Sequence, residues 1–206
     1  MGQPLSKTVP GNKNHPPKGS VIRVEPIRDL KAIKRIKKLL EHRPRDVCFF
    51  TLGINTAYRA SELLSLSVGQ VHHLYAGDRL VVRQRKTGKV RPTTVNKTVV
   101  RSIDNWLRVH PNPVDDAPLF TSQKGGHVLT VPSASRMVKE WCRMVGLVGN
   151  YGSHSLRKTW GYHQLRIKGS PIPLLMEAYG HTTQRQTLDY LCIDAEEIRE
   201  LYMLEL

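Results

Sequence analysis

The sequence predicts a mainly α-helical domain carrying a small antiparallel β-sheet, an α+β fold. Three observations predict it. From about residue 25 onward, apolar residues recur at helical spacing in one segment after another. The stretch GDRLVVRQRKTGKVRPTTV (77–95) reads instead as two β-branched runs around a Thr-Gly turn, a β-hairpin. The length of 206 residues, with 39% apolar content, suffices for one domain with a proper core.

The elements follow in order. Residues 1–24 are read as a flexible basic arm, since the first twenty are rich in Gly, Pro, Asn and Lys and contain no acid. A helix is expected near 27–41. There Lys31, Lys34, Arg35 and Lys38 share one face and Ile33, Ile36 and Leu40 another, so one face packs and the other can meet phosphates. The same periodicity gives helices near 45–54, 59–66, 97–109, 132–146, 154–167, 171–179 and 183–191. Ser153 is the expected N-cap of the 154–167 helix. PLFTS (118–122) is expected as a short third strand, followed by a Gly-Gly turn and HVLTV. A last helix is expected at 194–204, where Asp194 and Glu197 have capping-box spacing. Its stripe of Ala195, Ile198, Leu201 and Tyr202 opposes Glu196, Glu197 and Glu200. Residues 194–206 hold five of the chain's 17 acids, so this end is expected to be repelled by a polyanion and to face protein.

The net charge of +15 calls for an anionic partner, most simply nucleic acid. The segment KAIKRIKKLLEHRPR alone carries seven Lys or Arg against one Glu. Three cysteines far apart, with no CxxC or Cys/His spacing, suggest neither zinc nor a disulfide framework and fit a reduced, cytoplasmic protein. No apolar run reaches the roughly 18 residues of a bilayer span, and no secretory pattern opens the chain, so no membrane partner is expected.

Four stretches carry candidate chemistry. In GSHSLRKTW, His154 and Arg157 stand one turn apart at a helix N-terminus, where free N–H groups and the dipole attract anions. In TAYRASELLSL, Arg59 precedes Glu62 by one turn, either as a local ion pair or as a guanidinium oriented toward substrate. Lys86 lies at the hairpin tip and is either an ordinary exposed lysine or one that reaches into a groove. In GHTTQRQTLDY, Gly180 and His181 precede Tyr190. A tyrosine hydroxyl, with a pKa near about 10, is a poor nucleophile without a base or a strongly cationic site. Two arginines, a lysine and two histidines would supply one, and would stabilise a pentacoordinate phosphorus. No tight carboxylate cluster offers a two-metal site, so neither metal nor other cofactor is expected.

The order Arg59, Lys86, His154-x-x-Arg157, Gly180-His181, Thr187-x-x-Tyr190 resembles the tyrosine recombinase (phage integrase) family over roughly residues 25–193. The resemblance implies that family's catalytic-domain fold and a site-specific recombinase acting on double-stranded DNA. Tyr190 would attack the scissile phosphate to give a 3′-phosphotyrosine, and Lys86 would protonate the departing 5′-hydroxyl. Arg59 and Arg157 would clamp the non-bridging oxygens. His181 would stabilise the transition state and His154 would serve the tyrosine as acid/base partner. Glu62 and Gly180 would support them, Gly180 by letting the chain turn. Thr187 reads as a helix residue rather than a chemical one. The resemblance further implies a homotetramer on paired sites, with residues 194–206 passed between protomers, and a bacterial, phage or mobile-element origin.

Two positions depart from the pattern. Thr56-Ala57-Tyr58 stands where members commonly have Thr-Gly before the first arginine, and Lys158 stands where His or Arg often follows the second. Only about 25 residues precede the catalytic segment, which suggests a short single-domain member or a catalytic fragment, the Met1 start favouring the former. A type IB topoisomerase and a non-catalytic DNA-binding protein keeping the fold are the competing readings.

Overall fold

The computed structural model describes residues 23–83, 88, 90–122, 126–193, 199–203 and 205. The elements run α1 (Leu30–Leu39), α2 (Pro44–Gly53), α3 (Ala60–Leu63), β1 (Arg79–Arg83), β2 (Val90–Thr94), α4 (Lys97–Leu107), α5 (Val131–Met144), α6 (Ser153–Arg166), α7 (Ile172–Tyr179) and α8 (Gln184–Leu191). A short 3-10 turn covers Glu200–Met203.

The central helix is α2, which packs on α4 and α6. Its sequence explains that place: Cys48, Phe49, Phe50 and Leu52 are all fully buried, so it has no solvent face through its middle. Phe49 meets Phe120 edge-on at 5.2 Å, and Phe50 meets Trp141 at 6.1 Å. Around it lie amphipathic helices with ordinary caps. Asp29 caps α1 by accepting from the N–H groups of Lys31 and Ala32, and Asn96 caps α4 through Val99. On α1 the two expected faces exist: Ala32, Ile33 and Ile36 are buried, while Lys31, Lys34, Arg35 and Lys38 are exposed. Arg35 is partly engaged, with the Val145 carbonyl at 3.3 Å and the Asp29 carboxylate at 3.7 Å.

The hairpin pairs β1 with β2 antiparallel, Val82 opposite Arg91 and Leu80 opposite Thr93. Leu80 and Val82 point inward and their neighbours outward, the period of two that a half-buried strand requires. Lys86 belongs to the segment joining the strands and lies outside the described residues. So do most of the basic arm and residues 194–198 of the expected last helix.

Two expectations need correction. PLFTS forms no third strand among the described residues; it contributes isolated bridges, Ser67 to Pro118 and Thr121 to Val128. Pro118 has no N–H to extend a ladder. Ser153 is the first residue of α6 rather than its cap. Gly152 holds the cap position, where its N–H donates to the Ser155 hydroxyl at 3.1 Å, and the Ser153 N–H donates to Ser135 on α5 at 3.1 Å.

A second, smaller core lies under the C-terminal helices. Leu175, Tyr179, Leu191 and Ala57 form it, with Trp160 and Tyr190 packed against it. Gly161 on α6 permits the packing: a Cβ there would lie 1.9 Å from the Tyr179 hydroxyl.

Candidate active site

The site assembles from the segment before α3, strand β2, the start of α6, the α7–α8 junction and α8 itself. Its centre is Glu62, a carboxylate only 4% exposed. Glu62 accepts from the Arg59 N–H at 2.6 Å and from the Arg59 guanidinium at 3.1 Å. Arg91 reaches both its oxygens at 3.4 Å, and Arg157 approaches to 3.8 Å. Burial alone would raise the Glu62 pKa, but the Arg59 N–H and the charges of Arg91, Arg157 and Arg59 outweigh it and hold it below the ordinary carboxylate value. Three guanidinium groups thus share one carboxylate, which leaves two positive charges without an anionic partner among the described residues. Arg59 is the open member, its side chain 37% exposed.

Arg157 is 1% exposed and donates to the carbonyls of Ala57 and Tyr179. Burial pulls its pKa down to about 10, which still leaves it charged at neutral pH. Ala57 turns its carbonyl to Arg157 with φ 56, a left-handed conformation. That is a physical reason for glycine at this position in other sequences, since a Cβ in this region costs about 1–2 kcal/mol. We expect Ala57→Gly to change stability by less than about 1 kcal/mol, the gained freedom offsetting the lost methyl. Ala57→Val, β-branched at positive φ, should lose about 2 kcal/mol or more in a denaturant titration.

The α7–α8 junction presents the histidine. Gly180 adopts φ 64 and ψ 40, the left-handed conformation that ends α7. The His181 N–H donates to the Met176 carbonyl and the Gly180 N–H to that of Glu177, both at 2.9 Å, a Schellman pair. The Ala178 and Tyr179 carbonyls, also left open by the helix end, accept from Arg91 and Arg157. His181 stacks on Tyr179 at 5.0 Å, and its Nδ1 lies 3.0 Å from the Thr187 hydroxyl. Burial, then Arg157, Arg59 and Arg91, push its pKa down to about 4. His154, exposed at the mouth of the site, is also lowered, by partial burial of its ring and then by Arg157, Arg59 and Lys158. Both imidazoles are therefore neutral at pH 7. The positive charge expected from two histidines comes instead from a third arginine, Arg91.

Tyr190 packs into this assembly. Its ring meets Tyr179 at 5.1 Å and His181 at 5.2 Å, with the Arg157 guanidinium 5.7 Å from its centroid. Lys158, 5% exposed, sets its ammonium 4.9 Å from the same ring and 3.0 Å from Cys192 Sγ. The Tyr190 hydroxyl is buried and makes no well-formed hydrogen bond among the described residues. Burial raises its pKa, against the opposing charges of Arg157, Arg59 and Arg91. Beside it opens a cavity of about 640 Å³ lined by Arg23, His154, Lys158, Arg185, Asp189 and Tyr190.

Of the residues singled out in the sequence, Arg59, Glu62, His154, Arg157, Gly180, His181 and Tyr190 converge here. Lys86 falls outside the described residues, and Lys31, Lys34, Arg35 and Lys38 stand on the separate exposed face of α1. Sequence reasoning missed one member, Arg91. It had a signal, since hairpin register sets it opposite the inward-facing Val82. Thr187 is, as expected, a helix residue of α8; it is also fully buried, with its hydroxyl 3.0 Å from His181 Nδ1.

The Phage integrase family model matches residues 18–197. This chain belongs to the phage integrase family. It is 31% identical over 180 residues to the "Probable integrase/recombinase YoeC" of Bacillus subtilis, a match covering 87% of this chain and 95% of that one. The tyrosine recombinase XerC of Caldanaerobacter subterraneus subsp. tengcongensis is 27% identical over 176 residues, 82% of this chain and 48% of XerC. The fold is similar to that of the XerH site-specific recombinase in a post-cleavage complex with palindromic difH substrate. There the TM-score is 0.70 and the identity 20%, over 85% of this chain and 51% of XerH. This phage integrase family chain thus spans nearly all of YoeC but about half the length of XerC and XerH.

Proposed function

We propose that this chain is a site-specific DNA recombinase that cleaves and rejoins strands through a covalent 3′-phosphotyrosine. One observation carries the reading: Arg59, Arg91 and Arg157 share the single carboxylate of Glu62 directly beside Tyr190 and His181. A site with two positive charges uncompensated among the described residues suits a phosphodiester, and suits still better the extra negative charge of its pentacoordinate transition state. The Tyr190 oxygen attacks phosphorus and the bond from phosphorus to the 5′-oxygen breaks. That oxygen takes a proton from Lys86, and the tyrosine proton passes to neutral His154. Arg59 clamps the non-bridging oxygens from the open side and Arg157 from the buried side. A second DNA 5′-hydroxyl then attacks the phosphotyrosine and reverses the sequence onto a new strand, so the reaction as written consumes no nucleotide.

Thr187 fits this scheme as the partner that orients His181. Its hydroxyl lies 3.0 Å from Nδ1 and 3.5 Å from the Thr183 carbonyl; donation to the nearer Nδ1 places the ring proton on Nε2, which can then donate to phosphate. Thr187→Val, which keeps the volume, should lower the cleavage rate roughly tenfold, the scale on which orienting partners of a functional imidazole act. Thr187→Ser should keep most of the rate in the same single-turnover assay.

Double-stranded DNA is the partner in this reading, bound by two protomers at each site and by a homotetramer on paired sites. The exposed lysines and arginine of α1 add phosphate contacts, residues 25–193 form the catalytic unit, and residues 194–206 dock on a neighbouring protomer. The work is cytoplasmic, as integration, excision or inversion of a mobile element. Nicked suicide duplexes tiled across the DNA flanking the chain's own gene test the reading. A denaturation-resistant protein–DNA adduct and rearranged product are expected from at least one duplex. Relaxation of any supercoiled plasmid without recombinant product would favour a topoisomerase, and the absence of any adduct would overturn the reading.

A further inference from the structure

We infer, on the strand-cleavage reading above, that Arg28 and Lys158 are positioning residues: together they close the C-terminal end of α8 and hold Tyr190 against the arginine cluster. The need arises in the sequence of α8. QRQTLDYL is eight residues long, too short to persist as a helix by propensity alone. Its last turn carries no basic residue, and Asp189 there opposes the helix dipole. By contrast, α1 carries Lys37 and Lys38 in its last turn, and α5 carries Arg143. Cys192 caps α8 at φ 57 and ψ 41, a left-handed conformation uncommon outside glycine, so this end needs support from beyond the helix. The missing cations come from elsewhere in the chain. Arg28, from the segment before α1, donates to the Cys192 carbonyl at 2.8 Å. Lys158, from α6, donates to Cys192 Sγ at 3.0 Å and lies 4.9 Å from the centre of the Tyr190 ring. The turn that carries Tyr190 is thus held by one cation through the backbone of its cap and by another through the cap's thiol.

Both cations stand on one platform, α6. Ile27, fully buried, donates its N–H to the Thr159 hydroxyl at 2.8 Å, and its carbonyl lies 2.9 Å from His163 Nε2. The Arg28 guanidinium lies 5.3 Å from the Tyr162 ring. Thr159, Tyr162 and His163 belong to α6, as do Lys158 and Arg157. One helix therefore fixes a guanidinium of the cluster and, through Lys158 and Arg28, the end of the helix that carries the nucleophile. The start of α8 has ties of its own: the Thr183 hydroxyl accepts from the Gln186 N–H at 3.1 Å, and Thr187 faces His181. Loss of Arg28 should loosen the final turn, with Tyr190 in it, while His181 and the three arginines keep their places.

Two measurements on the full chain test this: single-turnover cleavage of a nicked suicide duplex over a range of DNA concentrations, and hydrogen exchange of the DNA-free protein read by mass spectrometry. Arg28→Met should lower the maximal rate roughly 10- to 10²-fold, the effect of a misplaced catalytic group, with the half-saturating DNA concentration within about threefold of wild type. Amides at the end of α8 should exchange about tenfold faster, while those of α2 and α4 keep their protection. Lys158→Met should speed exchange in the same turn. Arg28→Lys, which keeps a cation and a donor, should recover most of the rate and of the protection. Should Arg28→Met melt below the assay temperature, Arg28→Gln, which keeps an amide donor without the charge, is judged by the same two measurements. An unchanged maximal rate, or unchanged exchange at the end of α8, would overturn the inference. So would faster exchange spread over α2 and α4, which would mark a general loss of stability, or a loss confined to the half-saturating concentration, which would make Arg28 a DNA contact. Failure of the wild type to cleave any duplex would instead count against the recombinase reading, and hydrogen exchange would still decide whether the two cations hold α8.

Discussion

Tyr190→Phe should abolish the covalent adduct on a nicked suicide duplex while leaving DNA binding and folding intact. The reason lies in what the hydroxyl does and does not touch. It is buried with no well-formed hydrogen bond among the described residues, although the Arg157 guanidinium stands close enough to pull its pKa down, so folding gains little from it. An unpaired buried hydroxyl costs about 1–3 kcal/mol, so the variant should melt at or above the wild-type temperature. Tyr179→Phe makes the contrast. The Tyr179 hydroxyl donates to the Arg157 carbonyl at 3.0 Å and presses on Gly161, so its loss should cost about 1 kcal/mol. Tyr179 is also fully buried between Arg157, Trp160 and His181 and its hydroxyl is committed to the Arg157 carbonyl, whereas Tyr190 lines the cavity beside the arginines. Mass spectrometry of the trapped wild-type adduct should place the DNA on Tyr190. Attachment at Tyr179, or an adduct that survives Tyr190→Phe, would remove Tyr190 from its role.

The helices were legible because each carries its own signals. The 97–109 segment appears as Lys97–Leu107, with Asn96 as cap and Val99, Ile103 and Trp106 along one buried stripe. The hairpin was legible for the same local reason, an alternating strand either side of a turn. PLFTS was misread because Leu119 and Phe120 are buried as core residues in a segment that makes single bridges rather than a ladder. For the site, the sequence identified side chains but not their charge states. Burial beside three arginines leaves the histidines neutral, which no spacing could reveal. Arg91 and Thr187 act on groups far along the chain or across a turn. Arg91 becomes visible only when register sets it against Val82 and folding brings α7 to it. Thr187 becomes visible only when Gly180 turns His181 back toward α8.

Glu62→Gln should be among the most destabilising conservative substitutions in the chain. The carboxylate is the shared counter-charge of Arg59, Arg91 and Arg157, and two of those guanidinium groups are themselves largely buried. An amide keeps the size and can still accept from the Arg59 N–H, but it leaves the cations without an anion. Breaking a buried pair from one side costs about 3–5 kcal/mol. The pH dependence identifies the cause. Because the folded-state pKa of Glu62 lies below its ordinary value of 4.5, its ionised form favours folding. That contribution is fully present above the unfolded value and is lost as pH falls through the lower folded value. The stability gap between wild type and Glu62→Gln should therefore be constant from neutral pH down to about pH 5, then narrow in more acid solution. Cleavage should fall with it, since the loosened arginines no longer hold a fixed geometry around the phosphate. Denaturant titrations at a series of pH values would show this. A gap that stays the same at every pH would mean that Glu62 acts through packing rather than through its charge. No gap at neutral pH would mean that the three arginines hold their places without it.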